Sequence, residues 1–175
     1  EPVAAGALRR FIQTYGTVPD LPVSMALRGF SQVRFDGDAE VTRGLARAMV
    51  GHLASFHAPH EMILAFCIGP DRRAEWDWVK WLPHTLHPTA TDGAGHIRLV
   101  ASSMSDLERL LADQITGRPA FNASGTPLTD QPHLVIVIDG GHAAHDSKLL
   151  RSPAQGVTIV DLKQQPGETY GHELI

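Results

Sequence analysis

Two short apolar runs constrain the fold of this 175-residue chain more than any other feature of its sequence. The first covers Met62 to Ile68 and stops at Gly69-Pro70, and the second covers His133 to Ile138 and stops at Asp139. Each is far shorter than the roughly 20 apolar residues that cross a bilayer. Runs of this length that end at turn residues are typical of strands buried on both faces of a parallel sheet.

Helices and further strands alternate with these two runs. Asp36-Gly37-Asp38 is a turn signal that also supplies an N-cap. The helix after it is predicted to bury one face, which consists of Val41, Leu45, Met49, His52, Leu53 and Phe56. We also predict two strands within 23–35, a loop at 83–95, and strands at 97–101 and 157–160. The alternation predicts a three-layer α/β fold, a mainly parallel sheet with helices on both faces, as one domain over residues 1–175.

The charge of the chain argues against a nucleic-acid partner. The net charge is −4, and the only lysines are Lys80, Lys148 and Lys163, which are far apart in the sequence. A phosphate backbone is neutralised by clustered Lys and Arg side chains. We therefore expect no nucleic acid among the partners of this chain.

The strand, turn and helix around Gly37 have the arrangement of a phosphate-binding P-loop. Aligning Gly37 with the first glycine of G-x-x-x-x-G-K-[ST] places Thr42 at the second glycine, Arg43 at the lysine and Gly44 at the magnesium-binding hydroxyl. Only the first glycine agrees with the motif. The alignment therefore predicts a degenerate nucleotide site.

Acidic residues in the same loop argue against tight nucleotide binding. Asp38 and Glu40 would place two negative charges where the phosphates of a nucleotide lie. The alternative interpretation is purely structural, with Asp38 as the N-cap of the helix and Arg43 as a surface residue.

The second apolar run resembles a Walker B segment, because an apolar strand ends in an aspartate, here Asp139, that would lie near magnesium. Gly140 stands where an ATPase carries a catalytic glutamate. Since many α/β proteins place an Asp at the carboxyl end of a strand, this motif gains weight only together with the loop at Gly37.

Three tryptophans, Trp76, Trp78 and Trp81, fall within a stretch too short for one helical face to bury all of them. Two interpretations remain open. The tryptophans form an interaction surface for a neighbouring domain or subunit, or they form a dense local core.

Histidine pairs raise the separate possibility of a zinc site. The pairs are His84-x-x-His87 and His142-x-x-His145, with Asp139 and Asp146 nearby. Pairs with this spacing can face one metal ion, although none has a cysteine partner. Because ten histidines make such pairs common by chance, we expect no metal.

Several longer segments resemble the EccC subunit of actinobacterial type VII (ESX) secretion systems. They are residues 9–30, residues 47–59, the Trp-Asp-Trp-Val-Lys-Trp-Leu-Pro-His motif from Trp76 to His84, residues 97–100, and residues 132–141. The tryptophan motif is the most specific of them. The resemblance places the chain in the domain between the membrane segments and the first ATPase module.

This resemblance implies both a fold and a system. EccC proteins are FtsK/SpoIIIE-type ATPases that export small helical substrates of the WXG100 class. It implies a RecA/P-loop ATPase-like fold, in which Gly37, Arg43 and Asp139 are remnants of nucleotide motifs. It implies no cofactor in this domain, with ATP and magnesium in the full-length motor. The implied location is the cytoplasmic face of the cell membrane, anchored by segments outside this chain.

The implied partners are other domains of the motor, other membrane subunits of the secretion system and, through domains outside this chain, its substrates. A homo-oligomer is implied in the full assembly. Three functions follow as hypotheses: a module that couples the ATPase modules to the membrane channel, a weakly active ATPase that uses Arg43, or an unrelated α/β domain that binds a ligand or a metal.

Overall fold

The computed structural model describes residues 2–16, 24–143, 147–162 and 173–174. The strands are β1 (Gln32–Arg34), β2 (Met62–Ile68), β3 (Leu86–Asp92), β4 (Gly95–Arg98), β5 (Val100–Ala101), β6 (His133–Asp139), β7 (Val157–Asp161) and β8 (Glu173–Leu174). The α-helices are α1 (Pro2–Tyr15), α2 (Ala39–Phe56), α3 (Arg73–Trp76), α4 (Met104–Leu110), α5 (Ala112–Ile115) and α6 (Lys148–Arg151). Short 3-10 helices cover Leu27–Gly29, Pro70–Arg72, Asp77–Trp81 and Pro83–Thr85. We call residues 73–81 the tryptophan segment.

The main sheet has the strand order β5-β2-β6-β7-β1-β8, and all of its pairings are parallel. Every residue of β2 and β6 is buried, as the two apolar runs predict. Their register pairs Ile68 with Asp139, so the carboxyl ends of the two strands lie side by side. The sheet thus brings the end of the Walker B-like strand next to the start of the tryptophan segment.

Each face of the sheet carries its own core. On one face, α2 and the tryptophan segment pack on side chains that include Leu64, Phe66 and Val137. On the other face, Met104, Leu107 and Leu149 cover the intervening residues of the same strands, which point the opposite way. The predicted three-layer α/β fold is confirmed, and the described helices contain none that is long and apolar enough to cross a membrane.

The buried face of α2 differs from the predicted one. Val41, Leu45 and Phe56 are 70%, 54% and 72% exposed. Of the predicted face, Leu53 is buried and Met49 packs against the core partly buried. The helix otherwise buries Thr42, Arg43, Ala46 and Val50. The two stripes differ by a rotation of about one residue, or about 100°. Tertiary contacts decide between them: Arg43 reaches a carboxylate under the helix, and Ala46 is small enough to lie close against the sheet.

Three other predictions are wrong in detail. Within 23–35 the described residues form a 3-10 helix and only one strand, β1, while Val23 lies outside the described residues. The predicted loop at 83–95 contains most of an antiparallel hairpin, β3–β4, that forms its own two-stranded sheet. The predicted strand at 97–101 is divided between β4 and β5, because the chain leaves the hairpin at buried Leu99 to join the main sheet.

Candidate functional site

The turn before α2 is closed by its own aspartate. The side chain of Asp38 accepts hydrogen bonds through Oδ1 from the backbone amides of Glu40 at 2.9 Å and Val41 at 3.1 Å. Asp38 is therefore the N-cap of α2, as the structural interpretation predicts. In an intact P-loop such first-turn amides bind phosphate. Here a carboxylate occupies two of them.

Arg43 is buried, so its assignment as a surface residue is wrong. Its side chain is 3% exposed, and Nε donates a hydrogen bond to Oδ2 of Asp139 at 2.8 Å. Nη1 donates to Oε1 of Glu40, whose side chain is largely exposed. The hydrogen bond to Asp139 raises the pKa of Arg43, so the guanidinium stays charged. Arg43 thus contacts the Walker B-like aspartate directly.

Asp139 has a second donor in Trp76. The indole Nε1 of Trp76 donates to the same Oδ2 atom at 2.9 Å. Trp76 is 2% exposed, and its ring lies 5.5 Å from that of Phe66 between ring centroids. We refer to Arg43, Asp139 and Trp76 as the carboxylate cluster. It joins α2, the end of β6 and the tryptophan segment through one oxygen atom.

The chemistry of the carboxylate cluster is that of a closed ion pair. Arg43 and Asp139 are both almost fully buried, so water screens their attraction weakly. A divalent cation at Asp139 would lie beside the guanidinium, which has the same sign of charge. The cluster therefore disfavours the role that a Walker B aspartate has toward magnesium.

Glycine is required directly after Asp139. Gly140 has φ of +68°, a conformation that L side chains rarely adopt. Its carbonyl also approaches Gly69 so closely that a Cβ on Gly69 would lie 2.3 Å from it. A glutamate at position 140 would be strained, and the backbone geometry accounts for the missing catalytic acid.

The remaining residues of the aligned loop are only partly assembled. Gly37 has φ of +143° and lies in the turn, where a Cβ would be 3.6 Å from the Thr42 methyl group. Thr42 is buried, and its hydroxyl donates to the carbonyl of Ala39 at 3.3 Å. Gly44 is exposed on α2, away from the cluster. Of the five aligned residues, Arg43 and Asp139 are the pair joined by a side-chain hydrogen bond between α2 and β6.

The three tryptophans have three different environments. Trp76 belongs to the core, and Trp78 is half-buried with its ring stacked on that of Trp76 at 6.2 Å between centroids. Trp81 is 78% exposed, with the Lys80 ammonium 5.4 Å from its ring centroid. They lie on a short α-helix followed by a 3-10 helix, which turns successive rings in different directions. The local-core interpretation therefore holds for Trp76, and the interaction surface stays a prediction, now centred on Trp81.

The histidine pairs do not gather into a metal centre within the described ranges, where no group of three potential ligands occurs. His84 Nε2 is hydrogen-bonded to the His57 carbonyl at 2.8 Å, and His87 Nε2 to the Leu110 carbonyl at 3.0 Å. His145 and Asp146, which the second pair needs, lie outside the described residues.

Two members of the site have roles that the sequence patterns did not indicate. Trp76 was identified by its neighbours in the motif, but its bond to a carboxylate 63 residues away has no local signal. Glu40 was expected to face phosphate and instead pairs with Arg43. Their i,i+3 spacing on a helix is the local signal that could have indicated this pair.

Comparisons with known proteins were made over the whole chain, and no protein-family model matches it. The ESX secretion system protein EccC of Thermomonospora curvata is 42% identical over 169 residues, which are 97% of this chain and 13% of that protein. The ESX-1 secretion system protein EccCa1 of Mycobacterium tuberculosis is 33% identical over 171 residues, or 97% of this chain and 21% of that protein. The ESX-4 protein EccC4 of the same species is 40% identical over 112 residues, or 64% of this chain and 9% of that protein. The chain thus corresponds to a small part of each of these relatives.

Proposed function

We propose that this chain, which belongs to the EccC family of ESX secretion system proteins, is a noncatalytic coupling domain of a type VII secretion motor. The observation that carries the proposal is the carboxylate cluster, in which Arg43 and Trp76 occupy the aspartate oxygen. The homology supports the assignment to a type VII secretion motor, and the carboxylate cluster supports a noncatalytic role within that motor.

Nucleotide does not fit the residues that correspond to a P-loop. The amides of Glu40 and Val41 are capped by Asp38, so a phosphate would have to displace a carboxylate from both. Arg43, the one cation in the aligned loop, is already paired with Asp139. ATP and magnesium are therefore assigned to other modules of the full motor, where they supply the energy of export.

A coupling role follows from what the cluster joins. Arg43 lies in the second turn of α2, Asp139 ends a central strand, and Trp76 is the buried last residue of α3 in the tryptophan segment. Buried hydrogen bonds to a charged group hold these three elements as one unit. A force applied at the exposed tryptophan segment is transmitted to α2 and the sheet. We assign this path to the link between the ATPase modules and the membrane channel, at the cytoplasmic face of the membrane.

ATP turnover by the isolated chain tests the noncatalytic assignment. We expect phosphate release at the level of a buffer blank, because neither a P-loop lysine nor a catalytic carboxylate is available to stabilise the transferring phosphoryl group. Asp113→Ala, at an exposed aspartate, is the matched control for Asp139→Ala. Turnover well above the blank that persists in Asp113→Ala and disappears in Asp139→Ala would make the domain a working ATPase.

The coupling role is tested in the complete motor with Trp81→Ala. Trp81 is exposed, so the substitution is expected to leave the melting temperature of the isolated chain unchanged while export falls. Phe56→Ala, at another exposed aromatic residue, is the control and is expected to retain export. Normal export by the Trp81→Ala motor would remove the tryptophan segment from the coupling path.

A further inference from the structure

A second site adjoins the carboxylate cluster. A cavity of about 310 Å³ opens between the tryptophan segment and the carboxyl ends of β2 and β5. Its apolar floor includes Ile68, Val79 and Ala101, and the indole of Trp76 forms one wall. None of the nucleotide-motif residues lines it.

The charged side chains around this cavity are mostly positive. Arg73, Lys80 and Arg98 line it together with a single acid, Asp77. Asp77 is paired with Lys80 at 2.7 Å. Among the described residues, Arg73 and Arg98 have no ion pair, and each is exposed to solvent. The cavity therefore combines an apolar floor with two uncompensated guanidinium groups.

Only the folding of the chain brings the two arginines to the same cavity. Arg73 begins α3, and Arg98 ends β4 of the separate hairpin. The chain that leaves the hairpin joins the edge of the main sheet at β5, which brings Arg98 to the tryptophan segment. A guanidinium presents paired N–H donors that match a carboxylate, and two of them on opposite elements can hold two acidic groups.

We infer that this cavity binds an acidic polypeptide segment of a partner, with one apolar side chain on the floor and carboxylates on either side at Arg73 and Arg98. The volume lies at the lower end of the roughly 300–1,000 Å³ of ligand pockets, which suits one or two side chains better than a whole cofactor. Exposed Trp81 follows Lys80 directly and extends the surface beyond the cavity. Trp and Arg are the residues enriched where protein partners bind most strongly.

The inference goes beyond the proposed function, since it rests on the cavity and the side chains around it and holds whether or not the domain turns over nucleotide. It also has a structural consequence. The occupant packs against the same indole, that of Trp76, whose N–H group holds Asp139. The bound partner segment therefore contacts one member of the carboxylate cluster directly.

The test is a titration of the ¹⁵N-labelled chain, followed by amide chemical shifts. The probe is a capped heptapeptide with a central leucine and three aspartates on each side. Two comparison peptides replace the leucine by serine or all aspartates by lysines. We expect saturable shifts at the amides of residues 68, 79 and 98–101 with the first peptide, weaker binding of the serine peptide, and no binding of the lysine peptide.

Variants locate the site. The double variant Arg73→Ser with Arg98→Ser is expected to weaken binding of the aspartate peptide about tenfold. This is the combined effect of losing two partly exposed charge pairs. Arg9→Ser with Arg10→Ser, on exposed α1, makes the same change in net charge and is expected to leave the affinity unchanged. The dispersed amide spectrum of each double variant shows that it remains folded.

Four results would overturn the inference. They are no shift at these amides at millimolar peptide, equal binding of the lysine peptide, equal weakening by both double variants, or a comparable response of the same amides to pyrophosphate or to vesicles of anionic lipid. The last result would assign the cavity to a small anion or a membrane surface instead.

Discussion

Arg43→Met is expected to destabilise the domain by about 3 kcal/mol, because it leaves the Asp139 carboxylate buried without its counter-ion. Breaking one partner of a buried pair costs about 3–5 kcal/mol. The lower end applies here because Trp76 still donates one hydrogen bond to Oδ2. Methionine retains much of the aliphatic volume of arginine, so the loss measures charge rather than packing.

Urea denaturation followed by circular dichroism measures this change. In a domain of this size, a loss of about 3 kcal/mol corresponds to a melting temperature lower by about 6–12 °C. Glu40→Gln is the matched control, because it removes the other carboxylate that pairs with Arg43. The side chain of Glu40 is 73% exposed. We expect this exposed pair to contribute less than about 1 kcal/mol.

The double variant Arg43→Met with Asp139→Leu completes the cycle. Removing both charges leaves no buried ion, so most of the lost stability should return. The reasoning is refuted if Arg43→Met costs no more than Glu40→Gln. It is also refuted if the double variant is less stable than the unsubstituted chain by the sum of the losses that Arg43→Met and Asp139→Leu each cause alone.

Three further predictions concern residues outside this pair. Trp76→Ala should cost about 3–5 kcal/mol in urea denaturation and Trp81→Ala almost nothing, because only the first ring is buried. Burial lowers the pKa of His133 to about 4, from about 6.5 in the unfolded chain, so its neutral form stabilises the fold fully above pH 6.5. About 3 kcal/mol of unfolding free energy should be lost as the pH falls from 6.5 to 4. The His133→Asn chain should lack this loss, so the difference in unfolding free energy between the two chains should change by the same amount over this pH range. Burial raises the pKa of Cys67 to about 12, so a thiol reagent at pH 8 should label the native chain far more slowly than the urea-unfolded chain.

The parts of this protein that depend on local or one-dimensional patterns can be read from the order of its amino acids. The apolar runs of β2 and β6 have no polar face, so they can only be buried between two layers. Asp38 caps α2 through amides two and three residues away, which is also a local interaction. The three-layer fold and the beginning of the long helix could therefore be predicted.

The rotation of α2 and the state of the candidate site depend on contacts between elements that are far apart in the chain. Apolar periodicity favours the stripe with Val41, Leu45 and Phe56, yet the helix buries a stripe that includes Arg43. Arg43 and Asp139 are 96 residues apart, and Trp76 joins them from a third element. Because a charge is buried only where a partner meets it, the contact between the strand end and the helix fixes Arg43 inward. The sequence indicates which residues an ATPase-like site would use, and three-dimensional packing turns them into an ion pair.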